Sequence, residues 1–386
     1  MLISSRKRFK PGMGRIQAVK NRNKIKVVFR ADGGPQLGMG HIMRCLALAK
    51  AIQDAALEQM PGHAARGENV EIMFITAQNS AVSRLIAENG YKVIGIQRSN
   101  PVGEIAKVKE ILEKHDTNIV ITDSYSVDRD YLEQIGCAAD LVVSIDDLNQ
   151  IIFTSDLVIN GNVYATGMDY QSGSSDTEFL LGTDYVLLRD EFVQKGDRTL
   201  KREVNNVLVS VGGSDPLNLT PKIVQALDEV PGDFETKVII GPGFQNLKKI
   251  AEFAGKVRNP VELLHNVKNM AALMMSSDLA VTAGGTTLYE LSCTGTPAVV
   301  LLQADNQVTA AAEMAQKGAL INLGMGHNVS ISKLSSIITE ICTDWEKRWE
   351  MSKKGPALVD GYGCRRCAHK ILQKYQTKKE WSFDAS

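Results

Sequence analysis

The sequence predicts an α/β protein built of two Rossmann-like, doubly wound domains that face each other across a cleft. Three observations predict it. The chain has 386 residues, whereas one core usually serves about 100 to 200. Short β-branched runs alternate with stretches of helical apolar spacing, the pattern of parallel strands joined by helices. The alternation stops in a charged stretch at 189–202 and then begins again. The expected division is a first half over 24–190, a connection over 191–203 and a second half over 204–386.

In the first half, the run Ile-Lys-Val-Val-Phe-Arg at 25–30 reads as a strand. A glycine-rich turn follows it, and then a helix over 42–52. The same unit recurs as strand 71–76, helix 81–89, strand 92–96, helix 104–114, strand 118–122 and strand 141–145. The second half opens with strand 207–211, which ends in Gly212 and Gly213. Helix 221–227, strand 236–240, helix 270–275, strand 279–282, helix 287–293 and strand 298–302 complete the second series.

Composition narrows the function. Lys plus Arg (44) equals Asp plus Glu (44), so no global positive field draws the chain to nucleic acid or an anionic membrane. A small molecule is the expected partner, and a monomer suffices to bind one. No apolar run reaches the roughly 18 to 20 residues that span a bilayer, and the N-terminus has no signal-peptide stretch, which together predict a cytoplasmic protein. Residues 1–23 carry seven Lys and Arg with no acid and no apolar periodicity. They are expected to form a loose tail, either a disordered leader, an over-extended start or a basic arm for an acidic partner. Six scattered cysteines suit reduced thiols. Cys364 and Cys367 with His369 nearby could suggest a metal, but no second pair completes four ligands, and no metal site is predicted.

In open parallel sheets, ligands lie beyond the carboxyl ends of the strands. Several loops there carry chemistry. The first runs from Asp32 through Gly33, Gly34, Pro35, Gln36, Leu37, Gly38 and Met39 to Gly40 and His41. Gly38 and Gly40 let the backbone approach a ligand, and the following helix offers its N–H groups to a phosphate. His41 opens that helix, where an imidazole can take a proton from water; a capping or core histidine fits the same position. The second loop brings Asp123, able to orient His41 or a sugar hydroxyl, and Tyr125, able to donate a hydrogen bond; both residue types also close turns. Asp146 and Asp147 end another strand, and adjacent acids there point in different directions.

In the second half, Gly213 lies in a small-residue strand end. The run Thr282, Ala283, Gly284, Gly285, Thr286, Thr287, Leu288, Tyr289, Glu290 is the strongest local pattern. It suits a phosphate on a helix N-terminus with Glu290 accepting from ribose hydroxyls, although Thr287 with Glu290 also fits a capping box. Asp305, Asn306 and Gln307 add polar groups within reach of a sugar.

Taken together, these loops resemble the nucleotide-sugar enzymes of glycosyltransferase-B architecture. Within them the chain is most similar to the hydrolases that act on UDP-2,4-diacetamido-2,4,6-trideoxy-β-L-altropyranose in pseudaminic acid biosynthesis, with spore-coat polysaccharide proteins as relatives. The resemblance spans nearly everything after residue 23. It is carried by Phe29 to Asp32, Gln36 to Arg44, Asp123, Tyr125, Asp146 and Asp147, Asn160 to Tyr164, Leu188 to Phe192, and Gly212 to Asp215. It implies inverting, metal-independent and cofactor-free hydrolysis at the anomeric carbon, with His41 as base and Tyr125 and Asp123 in the catalytic centre. Arg30, Asp32, Gly38, Gly40, Arg189, Gly213, Thr286, Thr287, Tyr289 and Gln307 would line the substrate, Glu290 would hold the ribose, and backbone near Val267 would read uracil. The second half would then be the UDP-binding one. Where those hydrolases carry two serines and an asparagine before the ribose-binding acid, this chain has Gly285, Thr286 and Tyr289, and its Gly284 to Thr287 and Asp305 to Gln307 look more like the N-acetylglucosaminyl transferase of peptidoglycan synthesis. A UDP-sugar glycosyltransferase and a non-catalytic nucleotide-sugar-binding module are therefore the alternatives.

Overall fold

The computed structural model describes residues 24–34, 37–58, 70–97, 100–194, 196, 198–241, 243–245 and 247–384. The tail expected at 1–23, and Gln36 of the first loop, lie outside these residues. The first half runs β1 (Ile25–Ala31), α1 (Gly40–Glu58), β2 (Val70–Ala77), α2 (Ser80–Glu88), β3 (Lys92–Ile96), α3 (Pro101–Lys114), β4 (Ile119–Asp123), α4 (Arg129–Gly136), β5 (Leu141–Ile145), β6 (Leu157–Asn160) and β7 (Glu178–Leu181). The second runs β8 (Asn206–Ser210), α5 (Leu219–Asp228), β9 (Glu235–Ile240), α6 (Leu247–Ala254), β10 (Val261–His265), α7 (Met270–Met275), β11 (Leu279–Thr282), α8 (Thr287–Thr294), β12 (Ala298–Leu302), α9 (Val308–Gln316), β13 (Ile321–Met325), α10 (Ile331–Thr343), α11 (Trp345–Leu358) and α12 (Gly363–Asp384).

Each half is one parallel sheet. The strand orders are β3-β2-β1-β4-β5-β6-β7 and β10-β9-β8-β11-β12-β13. In both, strand order reverses beside the first strand of the half, between β1 and β4 and between β8 and β11. Diverging connections leave a crevice at such a switch point. Sequence chemistry places the helices. Asn79 accepts from the N–H groups of Ala81 and Val82, Asn100 from Gly103, and Asp128 from Tyr131, each starting a helix. Caps of this kind contribute about 1 kcal/mol apiece. The start of α8 has no side-chain cap.

Strands buried on both faces read as continuous apolar runs rather than alternating ones. Phe29 and Phe74, cross-strand partners on β1 and β2, stack with centroids 4.9 Å apart at the centre of the first core. Each side chain so buried contributes roughly 1.5 to 3 kcal/mol.

The boundary expected at 204–386 needs a correction at its end. Helix α12 crosses back and packs on α1 in the first half, where Cys364, Cys367, Ala368, Ile371, Leu372 and Tyr375 join the core. Their spacing of three and four residues makes one apolar stripe. The crossing is tight at Gly363, where a Cβ would fall 2.1 Å from the Val186 carbonyl oxygen. The two thiols are therefore core groups whose pKa burial pushes up, and His369 pairs with Glu58 instead, at 3.4 Å.

A further apolar cluster joins the halves, with Val163, Val186, Leu188 and Phe192 against Leu208, Met274, Leu288 and Tyr289. The connecting segment is anchored on the second half by Arg198, which donates to the carbonyls of Met274 (3.2 Å), Met275 (3.3 Å) and Ser277 (2.6 Å) at the end of α7. Among the described residues no helix is long and apolar enough to cross a membrane.

Candidate active site

Beyond β1 the chain makes a closed turn. Gly34 N–H donates to Gly38 O at 3.0 Å and Gly38 N–H to Gly34 O at 2.8 Å. Gly38 sits at φ +76°, a left-handed conformation that costs glycine little. Helix α1 starts two residues later and places His41 at the β1/β4 crevice, 8% exposed.

Asp123, the last residue of β4 and register partner of Ala31, meets it there. His41 Nδ1 lies 2.6 Å from Asp123 Oδ1. Arg44, one turn further along α1, donates to Asp123 through Nε (2.7 Å) and Nη2 (2.6 Å), and to Asp147 through Nη1 (2.9 Å) and Nη2 (3.0 Å). Burial alone would raise the Asp123 carboxyl, but Arg44 and the His41 ring outweigh it and hold it well below the usual carboxylate range. Burial likewise opposes charge on Arg44, and the two aspartates more than restore it. The result is a fixed carboxylate, guanidinium, carboxylate row.

That row assigns the His41 tautomer. Both Nη2 hydrogens of Arg44 go to aspartate oxygens, so none remains for His41 Nδ1, 3.0 Å away. An ionised Asp123 oxygen at 2.6 Å needs a donor. Nδ1 therefore carries a proton, and Nε2 is the ring nitrogen that the aspartate does not hold.

Tyr125 is half-exposed and meets the His41 ring edge to face at 4.8 Å. Its hydroxyl donates to Asp147 Oδ2 at 3.3 Å, and burial together with Asp147 pushes it up to about 12. Asp146 turns the other way, accepting from the Leu148 and Asn149 N–H groups and from the Tyr170 hydroxyl. Adjacent acids at the end of β5 do diverge, as expected.

Arg30 and Asp32 correct the expectation that they face substrate. Arg30 is 2% exposed and donates to both Asp32 oxygens and, at 2.5 Å, to Glu104 of α3. Asp32 also accepts from Ala77 N–H at 2.8 Å. The pair clamps the ends of β1 and β2 to α3 and so braces the loop from behind.

In the second half the β11/α8 loop faces α1. Gly285 adopts φ +92°, and the first α8 turn places only Leu288, Tyr289 and Glu290 N–H groups in hydrogen bonds with Gly285 and Thr286 carbonyls. The capping box of Thr287 with Glu290 does not form. Earlier N–H groups are left to meet an anion. A Cβ on Gly40 would come 3.7 Å from Thr286 Oγ1, so the two glycine-containing helix starts oppose each other across the cleft. Gln307 lies against Gly284, where a Cβ would be 2.6 Å away, and accepts from Gln303 N–H at 2.9 Å.

Glu290 Oε1 accepts from Arg189 Nη2 at 3.1 Å, while Arg189 Nη1 pairs with Glu191 at 3.1 Å. Burial raises the Glu290 carboxyl against the pull of Arg189. Glu191 in turn accepts from Met270 N–H at the start of α7, which sets the loop holding half-buried Val267. Gly213 is drawn into a glycine-to-glycine contact, accepting from Gly243 N–H at 2.8 Å. Asp215 caps α5 through Leu219 and Thr220 N–H groups.

His41, Asp123 and Tyr125 are thus brought together, as are Arg189 with Glu290, and Gly40 with Thr286. Arg44, Asp147 and Asn162 enter the site without having been assigned roles. Arg44 was signalled by lying three residues after His41 and so on the same helix face, and Asp147 by its place at a strand end. Among the described residues, no three His, Cys, Asp or Glu are grouped to hold a metal ion.

Known proteins resemble this chain at three levels. Residues 206–360 match the glycosyltransferase family 28 C-terminal domain. The spore coat polysaccharide biosynthesis protein SpsG of Bacillus subtilis is 29% identical over 90% of this chain and 97% of its own length. The UDP-2,4-diacetamido-2,4,6-trideoxy-beta-L-altropyranose hydrolase of Campylobacter jejuni is 26% identical over 76% of this chain and 97% of its own. In three dimensions the crystal structure of Acinetobacter baumannii MurG superposes with a TM-score of 0.64 at 15% identity, covering 90% of this chain and 99% of that one. The strand orders, the facing crevices and these likenesses agree on glycosyltransferase-B architecture.

Proposed function

We propose that this glycosyltransferase-B chain hydrolyses a UDP-linked diacetamido-trideoxy sugar at its anomeric carbon, releasing UDP and the free sugar. The substrate we favour is UDP-2,4-diacetamido-2,4,6-trideoxy-β-L-altropyranose, named for the Campylobacter relative. The observation that carries the reading is the His41 and Asp123 pair, in which the aspartate holds Nδ1 and leaves Nε2 as the nitrogen to exchange a proton, opposite an uncapped helix start.

In the proposed step, His41 Nε2 takes a proton from water as the water oxygen attacks the anomeric carbon. The bond from that carbon to the diphosphate oxygen breaks, and its electron pair leaves with UDP, inverting the centre. Asp123 stabilises the imidazolium formed, and the proton passes to solvent after product release. Charge gathering on the diphosphate is met by the N–H groups opening α8 and the Thr286 and Thr287 hydroxyls. Glu290, steadied by Arg189, accepts from the ribose hydroxyls, and backbone near Val267 reads uracil. Tyr125 packs on the ring that acts as base and fixes its plane.

The alternative is a UDP-sugar glycosyltransferase, favoured by the family 28 match over the second half. Purified protein given a panel of UDP-sugars, with and without acceptor, separates the two. Release of UDP from the diacetamido-trideoxy substrate without acceptor is expected; release only with acceptor would establish the transferase. Tight UDP binding without turnover, unaffected by His41→Ala, would instead identify a binding module.

A further inference from the structure

Tyr289 is 4% exposed, yet its ring belongs to α8 in the second half while its hydroxyl bonds the first. It donates to Asn162 Oδ1 at 3.0 Å and accepts from Val163 N–H at 3.2 Å. Asn162 Nδ2 donates in turn to Asp147 Oδ1 at 2.8 Å. Asp147 is the outer carboxylate of the row in which Arg44 holds Asp123, and Asp123 holds His41. A continuous set of hydrogen bonds therefore runs from the residue before Glu290 to the base.

Each link is directional and occupied. Asn162 is itself fixed, its N–H and Nδ2 both donating to Asn160 Oδ1 at 2.9 and 2.8 Å. That leaves its Oδ1 to receive the tyrosine. Burial raises the Tyr289 phenol far above assay pH, so it remains a neutral donor throughout. An aliphatic residue would fill the same apolar cluster between the halves without a hydroxyl. What the hydroxyl adds is geometry, because a hydrogen-bonded network in a buried setting specifies one arrangement.

We propose that Tyr289 is a positioning residue: through Asn162, Asp147 and Arg44 it sets the Asp123 and His41 pair, so that placement of the nucleotide-side helix and orientation of the base are one event. This rests on the hydrolase reading above for its kinetic consequence, though not for its structural one.

The test uses the full chain with Tyr289→Phe and Asn162→Ala, UDP release from the diacetamido-trideoxy UDP-sugar, and long-range proton–nitrogen correlation on the His41 ring, assigned with His41→Ala. Tyr289→Phe should lower kcat about tenfold, as small misplacements of a catalytic group do, with KM within twofold. It should also mix the His41 tautomers that the wild type keeps as Nδ1–H. Combined with Asn162→Ala, it should add nothing further. Unchanged kcat and ring signals in Tyr289→Phe, with only a lower melting temperature, would overturn the proposal, as would additive losses in the double variant. If the wild type releases no UDP, the hydrolase reading fails separately, and the ring signals alone decide: mixing supports the coupling and identity with wild type overturns it.

Discussion

Arg44 holds Asp123 by two hydrogen bonds of 2.7 and 2.6 Å, so the carboxylate that orients His41 is itself oriented from behind. This makes Asp123 hard to replace. Asp123→Asn offers His41 an amide of nearly the same shape, but one that can present its NH₂ to Nδ1 and so favour the wrong tautomer. The expected loss in kcat is on the order of 10² to 10⁴-fold, the range of general-base contributions. His41→Ala should abolish turnover and leave UDP affinity, by calorimetry, within a few-fold. Equal loss of binding in both variants would count against a role confined to water.

The same pair sets a pH dependence of stability. Asp123 has its folded pKa depressed, so the fold favours its ionised form and gains stability at pH above the unfolded carboxylate value of about 3.9. That contribution is lost as pH falls below this value and through the folded pKa. Urea titrations from pH 7 down to 3 should show wild type losing stability more steeply at the acid end than Asp123→Asn. Parallel curves would mean that the carboxylate is no better stabilised in the fold than in the unfolded chain.

The sequence made the scaffold legible because both sheets are parallel and buried. Strands such as Leu141–Ile145 and Ala298–Leu302 begin and end where their apolar runs do. It hid β6 and β7, four residues each and flanked by turns, and it hid the return of α12, whose apolar stripe shows a buried face but not which half receives it. Within the site, His41 was legible from its place at the helix start after the glycine-rich loop, and Asp123 from its strand-end position. Arg30 was misassigned because a polar residue beside a ligand loop looks the same in sequence whether it faces outward or inward, and only Glu104, distant in the chain, decides the matter. Asn162 and Tyr289 were beyond reach as a pair, since 127 residues separate them.

Glu290 should show the opposite balance from Asp123. Glu290→Ala is expected to weaken UDP binding by roughly 1.5 to 3 kcal/mol, the cost of losing charge-assisted hydrogen bonds. Its folded pKa is raised, so its contribution to stability is present below the unfolded glutamate value and is lost as pH rises through the folded one. At pH 7, Glu290→Gln should therefore melt no lower than wild type while binding UDP less tightly. A lower melting temperature would show that the ion pair with Arg189 outweighs burial and that Glu290 is chiefly structural.

Gly40 and Gly284 separate ligand space from packing. Among the described residues outside its own helix turn, a methyl at Gly40 meets nothing nearer than 3.7 Å, and alanine is the better residue in a first helical turn, so Gly40→Ala should keep or raise the melting temperature. If the diphosphate threads between the starts of α1 and α8, that methyl enters its path, and KM for the UDP-sugar should rise while the fold is untouched. At Gly284 the added Cβ would lie 2.6 Å from the Gln307 side chain, including its Cβ, which cannot swing away as a side-chain tip could. Gly284→Ala should therefore lose stability and binding together, by pushing Gln307 off the Gln303 N–H. Steady-state kinetics beside thermal melts distinguish the two. Unaltered KM in Gly40→Ala would place the diphosphate elsewhere and remove the reason for reading these opposed helix starts as its seat.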